Sequence, residues 1–181
     1  MSDSVMIRHC APMLAGLKTA HLFRCSFRDT ENAKQTLRQW NMLLSPKGIR
    51  FFPMTEKGGR VLIYAYRPKW LQRDLCHGCA LQVLDEIGYP CGCVPLCLSK
   101  LARKIREDAE FPNEIGFFLG YPPEDVRGFM EGHPCIFTGF WRVYSDEETK
   151  KELFCRYRQC TREYCALHAQ GIPLEQLAVP S

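Results

Sequence analysis

The stretch Phe111-Pro-Asn-Glu-Ile-Gly-Phe-Phe-Leu-Gly-Tyr-Pro-Pro-Glu-Asp-Val-Arg-Gly-Phe129 constrains this chain more than any other. A short apolar run (Ile115, Phe117, Phe118, Leu119) breaks at Gly120. Tyr121-Pro122-Pro123 then bends the chain, and Glu124-Asp125 open a short helix expected over 123–130. Proline fixes φ and lacks a donor, while glycine permits backbone angles and close approaches that a Cβ forbids. A turn of this kind, supported by apolar walls, is where sites are often built. No motif inside it names a reaction.

The flanking segments supply the fold class. Met13 to Phe23 reads as a helix with Pro12 in its first turn, Leu14, Leu17 and His21 on one side, and Gly16 allowing a close neighbour. Thr30 is placed to cap a second helix, whose Ala33, Leu37, Trp40 and Leu44 form an apolar stripe at helical spacing. β-Branched and aromatic residues over 49–53 and 60–67, joined through Gly58-Gly59, predict a hairpin. A third strand is expected over 136–144, beside that hairpin. Val94-Pro95 starts a helix with Val94, Cys97, Leu98, Leu101 and Ile105 inward. Ser145 and Glu148 form a capping-box pattern ahead of a long helix carrying Leu153, Tyr157, Cys160, Tyr164 and Leu167, which Gly171 and Pro173 end. The expectation is α+β: one domain over 1–181, several helices packed on a small antiparallel sheet.

Composition narrows the function classes. Of 181 residues, 46% are hydrophobic and 24% charged, a globular balance that argues against disorder. A net charge of +4 is too small to argue for nucleic acid, and the Lys100, Arg103, Lys104, Arg106 cluster reads as a solvated helix face. The N-terminus has no apolar signal core, and the longest apolar run, 61–66, is far too short to cross a bilayer, so membrane insertion is not expected. The default setting is cytoplasmic. There the eleven cysteines would be reduced, which ranks metal binding or thiol chemistry above a disulfide framework. The plain alternative is that many are small buried hydrophobes.

Two groups of residues carry candidate chemistry. Cys10, read as sitting at a helix N-terminus where a thiolate is stabilised, is a candidate nucleophile or ligand; a half-buried cysteine ahead of a helix is the bland alternative. His9, His21 or His133 is a candidate base, Lys18 or Arg67 a candidate for an anionic group, and the His9-Cys10 pair a candidate axial ligand for haem. The second group is Cys76-His-Gly-Cys79, Cys91-Gly-Cys93 and Cys97. Cys76 and Cys79, expected on one helical face, with Cys91 and Cys93 form a candidate sulfur site for zinc or an iron–sulfur cluster. Unligated cysteines along a helix and turn remain the alternative.

His9-Cys-Ala-Pro-x-Leu-Ala-Gly-Leu-Lys18, Tyr66-Arg-Pro-Lys69, Phe111-Pro-x-Glu-Ile-Gly-x-Phe-Leu-Gly-Tyr-Pro-x-Glu-Asp-Val126 and Gly139-x-Trp-x-Val-Tyr-Ser-Asp-Glu147 together resemble an uncharacterised bacterial domain-of-unknown-function family common in anaerobes. The resemblance spans nearly the whole chain. It implies an iron or redox setting, since members occur near iron-uptake and flavodoxin-type genes, and such proteins as partners. On the matching positions it points to Cys10, Lys18, Arg67, Glu114, Tyr121 and Asp125. The family pattern carries His where this chain has Asn113, which puts any histidine chemistry there in doubt. The cysteines of 76–97 lie outside the motifs. Glu114, in apolar surroundings, is a candidate general acid, with a capping role or a pair with Arg67 as the bland alternative.

Three functions compete on these residues: a metal, haem or iron–sulfur binding or accessory protein; an enzyme with Cys10 as nucleophile; and an interaction module whose Tyr121-Pro-Pro turn forms a docking face.

Overall fold

The computed structural model describes residues 2–76, 78–108 and 110–181. Internal packing divides them into two compact units, one of residues 1–70 with 159–181 and one of residues 71–158. The architecture is α+β, as the sequence predicts.

The first unit is built on a three-stranded antiparallel sheet of β1 (Ala20–Ser26), β2 (Arg50–Lys57) and β3 (Arg60–Tyr66), in the order β1-β3-β2. The β2–β3 hairpin turns at Gly58-Gly59, both at positive φ, where a side chain would be strained. Pro53 lies on β2, an edge strand where its missing N–H interrupts no interior ladder, and the register shifts just after it. Helices α1 (Ser2–Leu14) and α2 (Thr30–Leu44) pack on the sheet. Asp29 rather than Thr30 caps α2, its side chain accepting from the Asn32 amide at 2.8 Å. The predicted stripe Ala33, Leu37, Trp40 and Leu44 is buried against Met6, Cys10, Phe23, Phe51 and Ile63.

The sequence reading of 13–23 needs correction. Residues 13 and 14 end α1, Gly16 turns at φ +71, and the chain continues as strand β1. The buried stripe of α1 is Met6, Ile7, Cys10, Met13 and Leu14. Pro12 therefore sits inside the last turns of α1, and Cys10 is in its C-terminal half rather than at an N-terminus.

The second unit begins within α3 (Pro68–Leu75) and contains α4 (Gly78–Glu86), α5 (Val94–Glu107), α6 (Ile115–Phe118) and α7 (Pro123–Met130). A two-stranded sheet, β4 (Phe137–Thr138) with β5 (Arg142–Val143), and the first half of α8 (Glu147–Ala169) complete it. The expected third strand over 136–144 is thus a small hairpin of its own, while the strand beside β3 is β1. A short helix, α9 (Leu174–Leu177), lies near the C-terminus in the first unit. Among the described residues no helix is long and apolar enough to cross a membrane.

Candidate functional site

The 111–129 stretch and the β4–β5 hairpin line an open cavity of about 340 Å³ in the second unit. Its construction starts at Gly120. This residue, at φ +68, ends α6 by letting the Gly120 amide bond to the Phe117 carbonyl and the Tyr121 amide to that of Gly116. This is the glycine-dependent helix stop in which orphan carbonyls are satisfied by the two following amides. Tyr121 is thereby delivered to the cavity wall, and Pro122-Pro123 launch α7, which brings Asp125 and Val126 alongside.

Asp125 organises the wall that Trp141 forms with Tyr121. It is almost fully buried, accepting from Trp141 Nε1 at 2.7 Å and from the Tyr144 amide at 2.8 Å, with Lys150 Nζ 3.8 Å away. One carboxylate thus fixes both the Trp141 ring, just before β5, and the Tyr144 backbone, just after it. Trp141 stacks on Tyr121 with ring centroids 4.6 Å apart and meets Phe154 edge-on at 4.5 Å. Burial pushes the Tyr121 hydroxyl up to about 12, so it stays protonated at neutral pH. Gly116 has no room for a side chain, because a Cβ there would lie 2.7 Å from Val126 Cγ2. The more exposed lining residues are Asn113, Phe129 and Arg142. Arg142 lies over the Phe129 ring, 5.4 Å from its centroid.

In the first unit the predicted site residues Cys10, Lys18 and Arg67 are buried. Arg67 is wholly buried: Nε donates to the Met13 carbonyl at 2.8 Å, Nη2 to those of Leu14 (3.0 Å) and Val179 (2.8 Å), and Nη1 to Ser181 Oγ (2.6 Å). It satisfies the last carbonyls of α1, which have no partner within the helix, and ties them to the C-terminal segment. Lys18 is buried, with Nζ 3.2 Å from His21 Nδ1. Burial lowers its pKa to about 8, opposed by nearby Cys10. Burial, then Lys18 and His9, lowers His21 to about 3. His9 is more exposed and stacks against Phe23 and His21. Burial pushes the Cys10 thiol far above its ordinary value, whereas nucleophilic cysteines are partly exposed and shifted the other way.

Glu114 is also buried. It accepts from Tyr89 OH at 2.9 Å and pairs with Lys104, so its partner is neither Arg67 nor solvent. Burial first, and then Glu114, push the Tyr89 hydroxyl up.

The cysteines of 76–97 fall on different elements. Cys76 follows the end of α3 and Cys79 lies in α4, so the two share no helix. Gln72 Nε2 lies 3.0 Å from Cys76 Sγ. Cys79 approaches Arg127. Cys91, Cys93 and Cys76 are close enough to Cys97 to add to the burial that pushes its thiol up to about 11. His77 lies outside the described residues. Among the described residues no three His, Cys, Asp or Glu side chains are grouped so as to hold a metal ion.

Sequence reasoning singled out Tyr121 and Asp125 but not Val126, Phe129, Trp141 or Arg142 as neighbours of one cavity. The one signal for Trp141 was its place in the Gly-x-Trp stretch; Arg142 had none. No curated protein and no solved structure matches the chain. The family model described as "Protein of unknown function (DUF3793)" matches residues 6–178, nearly the full length, and the chain belongs to that family.

Proposed function

We propose that this protein binds a small organic molecule in the cavity between residues 113 and 142. The observation that carries the reading is an open, mostly apolar cleft of about 340 Å³ whose aromatic wall is locked from behind by Asp125. Such pockets pair apolar walls with a few placed polar groups, and this volume is at the small end of their range, suiting a ligand of one or two rings. The locked wall means little ordering is required on binding, which favours affinity.

Calorimetric titration with indole tests this. Saturable one-to-one binding is expected, weakened severalfold by Gly116→Ala, whose added methyl presses on Val126, and abolished by Val126→Phe. Binding that ignores both substitutions would place the ligand elsewhere and refute the assignment.

The thiols support a second reading, in which a reducing cytoplasm keeps Cys76, Cys91, Cys93 and Cys97 free for redox or soft-metal chemistry, with a flavodoxin-type or iron-uptake protein as partner. Its support is the proximity of Cys76, Cys91 and Cys93 to Cys97, whose thiol burial first and then these neighbours push up. Elemental analysis and a visible spectrum of anaerobically purified protein test it: stoichiometric zinc, iron or haem lost on Cys91→Ser would sustain it, and metal-free, colourless protein that takes up none would end the metal and haem form of it.

A further inference from the structure

The polar groups around the cleft are unequally committed, and that inequality identifies a ligand class. Asp125, the acid of the wall, is buried, and both its oxygens already accept, Oδ2 from the indole N–H of Trp141 and Oδ1 from the amide of Tyr144. Its charge is faced by the Lys150 ammonium, 3.8 Å from Oδ2. The only guanidinium among the lining residues, Arg142, has the opposite status. It is exposed, held over the Phe129 ring, and has no carboxylate partner among the described residues. Asn113, also exposed, adds an amide at the same cavity. The remaining surface is apolar: Ile115, Val126 and the Tyr121–Trp141 pair.

Resting on the reading of this cleft as a binding site, we infer that its ligand is a flat aromatic acid, its ring among Tyr121, Val126 and Trp141 and its carboxylate on Arg142. A guanidinium presents a planar fork of donors that matches a carboxylate. The cleft has a supply of positive charge and no uncommitted negative one, so it selects an anion over a cation of the same shape. Asn113 offers a neutral donor for a second oxygen.

Indole-3-acetate and indole-3-acetamide have nearly the same shape and differ in charge, so calorimetry on the wild-type protein with both isolates the charge. The acid is expected to bind about tenfold more tightly, the difference one charge-assisted hydrogen bond supplies. Arg142→Gln should bring the two to within about threefold, and Arg142→Lys should restore part of the gap. The preference should shrink as salt is raised, since Arg142 is exposed. Equal binding of acid and amide, or a preference that survives Arg142→Gln, overturns the assignment of an acid while leaving the cleft a binding site. Failure of both compounds, and of indole, to bind overturns the cleft itself.

Discussion

Arg67 and Arg142 both lie at or in strands next to family-motif residues, yet they are used in contrary ways. Arg67 is fully buried, and its donors are taken up by the carbonyls of Met13, Leu14 and Val179 and the hydroxyl of Ser181. Arg142 is exposed at a cavity, lies over an aromatic face and has no carboxylate partner among the described residues. The same contrast holds for their surroundings. Around Arg67, the motif residues Cys10 and Lys18 are enclosed by packing, while Tyr121 and Trp141 line an open cleft. A polar residue in a motif is therefore not evidence of chemistry in itself. What separates a structural group from a binding group is whether any hydrogen-bonding capacity is left facing space a ligand can enter.

The largest effect that would break this contrast is at Arg67. Arg67→Ala removes the donor to several buried acceptors, each costing about 1–3 kcal/mol when left unpaired, so urea unfolding should show a loss of about 4 kcal/mol or more. A loss below about 1 kcal/mol, the level of an ordinary surface change, would mean the buried network is not structural. Next is Asp125→Ala, which unpins Trp141 and strands the Tyr144 amide: about 2–3 kcal/mol of stability and most of the indole affinity should go together. Stability lost with affinity intact would show that the wall need not be locked.

The smallest effect sharpens the buried side. His21 is held neutral in the fold, at about 3 against an ordinary 6.5, so between those values the unfolded chain binds the extra proton. Stability should therefore fall as pH drops below about 6.5, by about 1 kcal/mol over the first unit, and His21→Gln should flatten that slope. Lys18, also lowered, contributes in the same direction between about 8 and the ordinary lysine value near 10.5. Above about 9 it is opposed by the Cys10 thiol, which burial keeps protonated, so Lys18→Met should reduce the stability gained between pH 8 and 9.

Much of the fold was legible because it is local. The α2 stripe, the Gly-Gly hairpin and the Pro123 helix start are written within a few residues of where they act. The misread strand at Ala20–Ser26 shows the limit: Leu14, Leu17 and His21 mimic helical spacing, but Gly16 turns the chain between them. The role of Arg67 was not legible, since Ser181 stands 114 residues away in sequence. Nor could the sequence say that Asp125 meets Trp141 rather than a ligand, because that bond depends on the hairpin folding back over α7. Cys76 and Cys79, spaced to share a helical face, do not share a helix, since α3 ends at Leu75 and α4 starts at Gly78.

The central claim is that ligands enter at the cleft and not at the buried motif residues of the first unit. A residue-resolved amide NMR titration with indole-3-acetate tests it most directly. Saturating shifts are expected at Gly116, Tyr121, Val126 and Arg142, with Cys10, Lys18, His21 and Arg67 unmoved. Shifts centred on Lys18 and His21, with the cleft silent, would contradict the account.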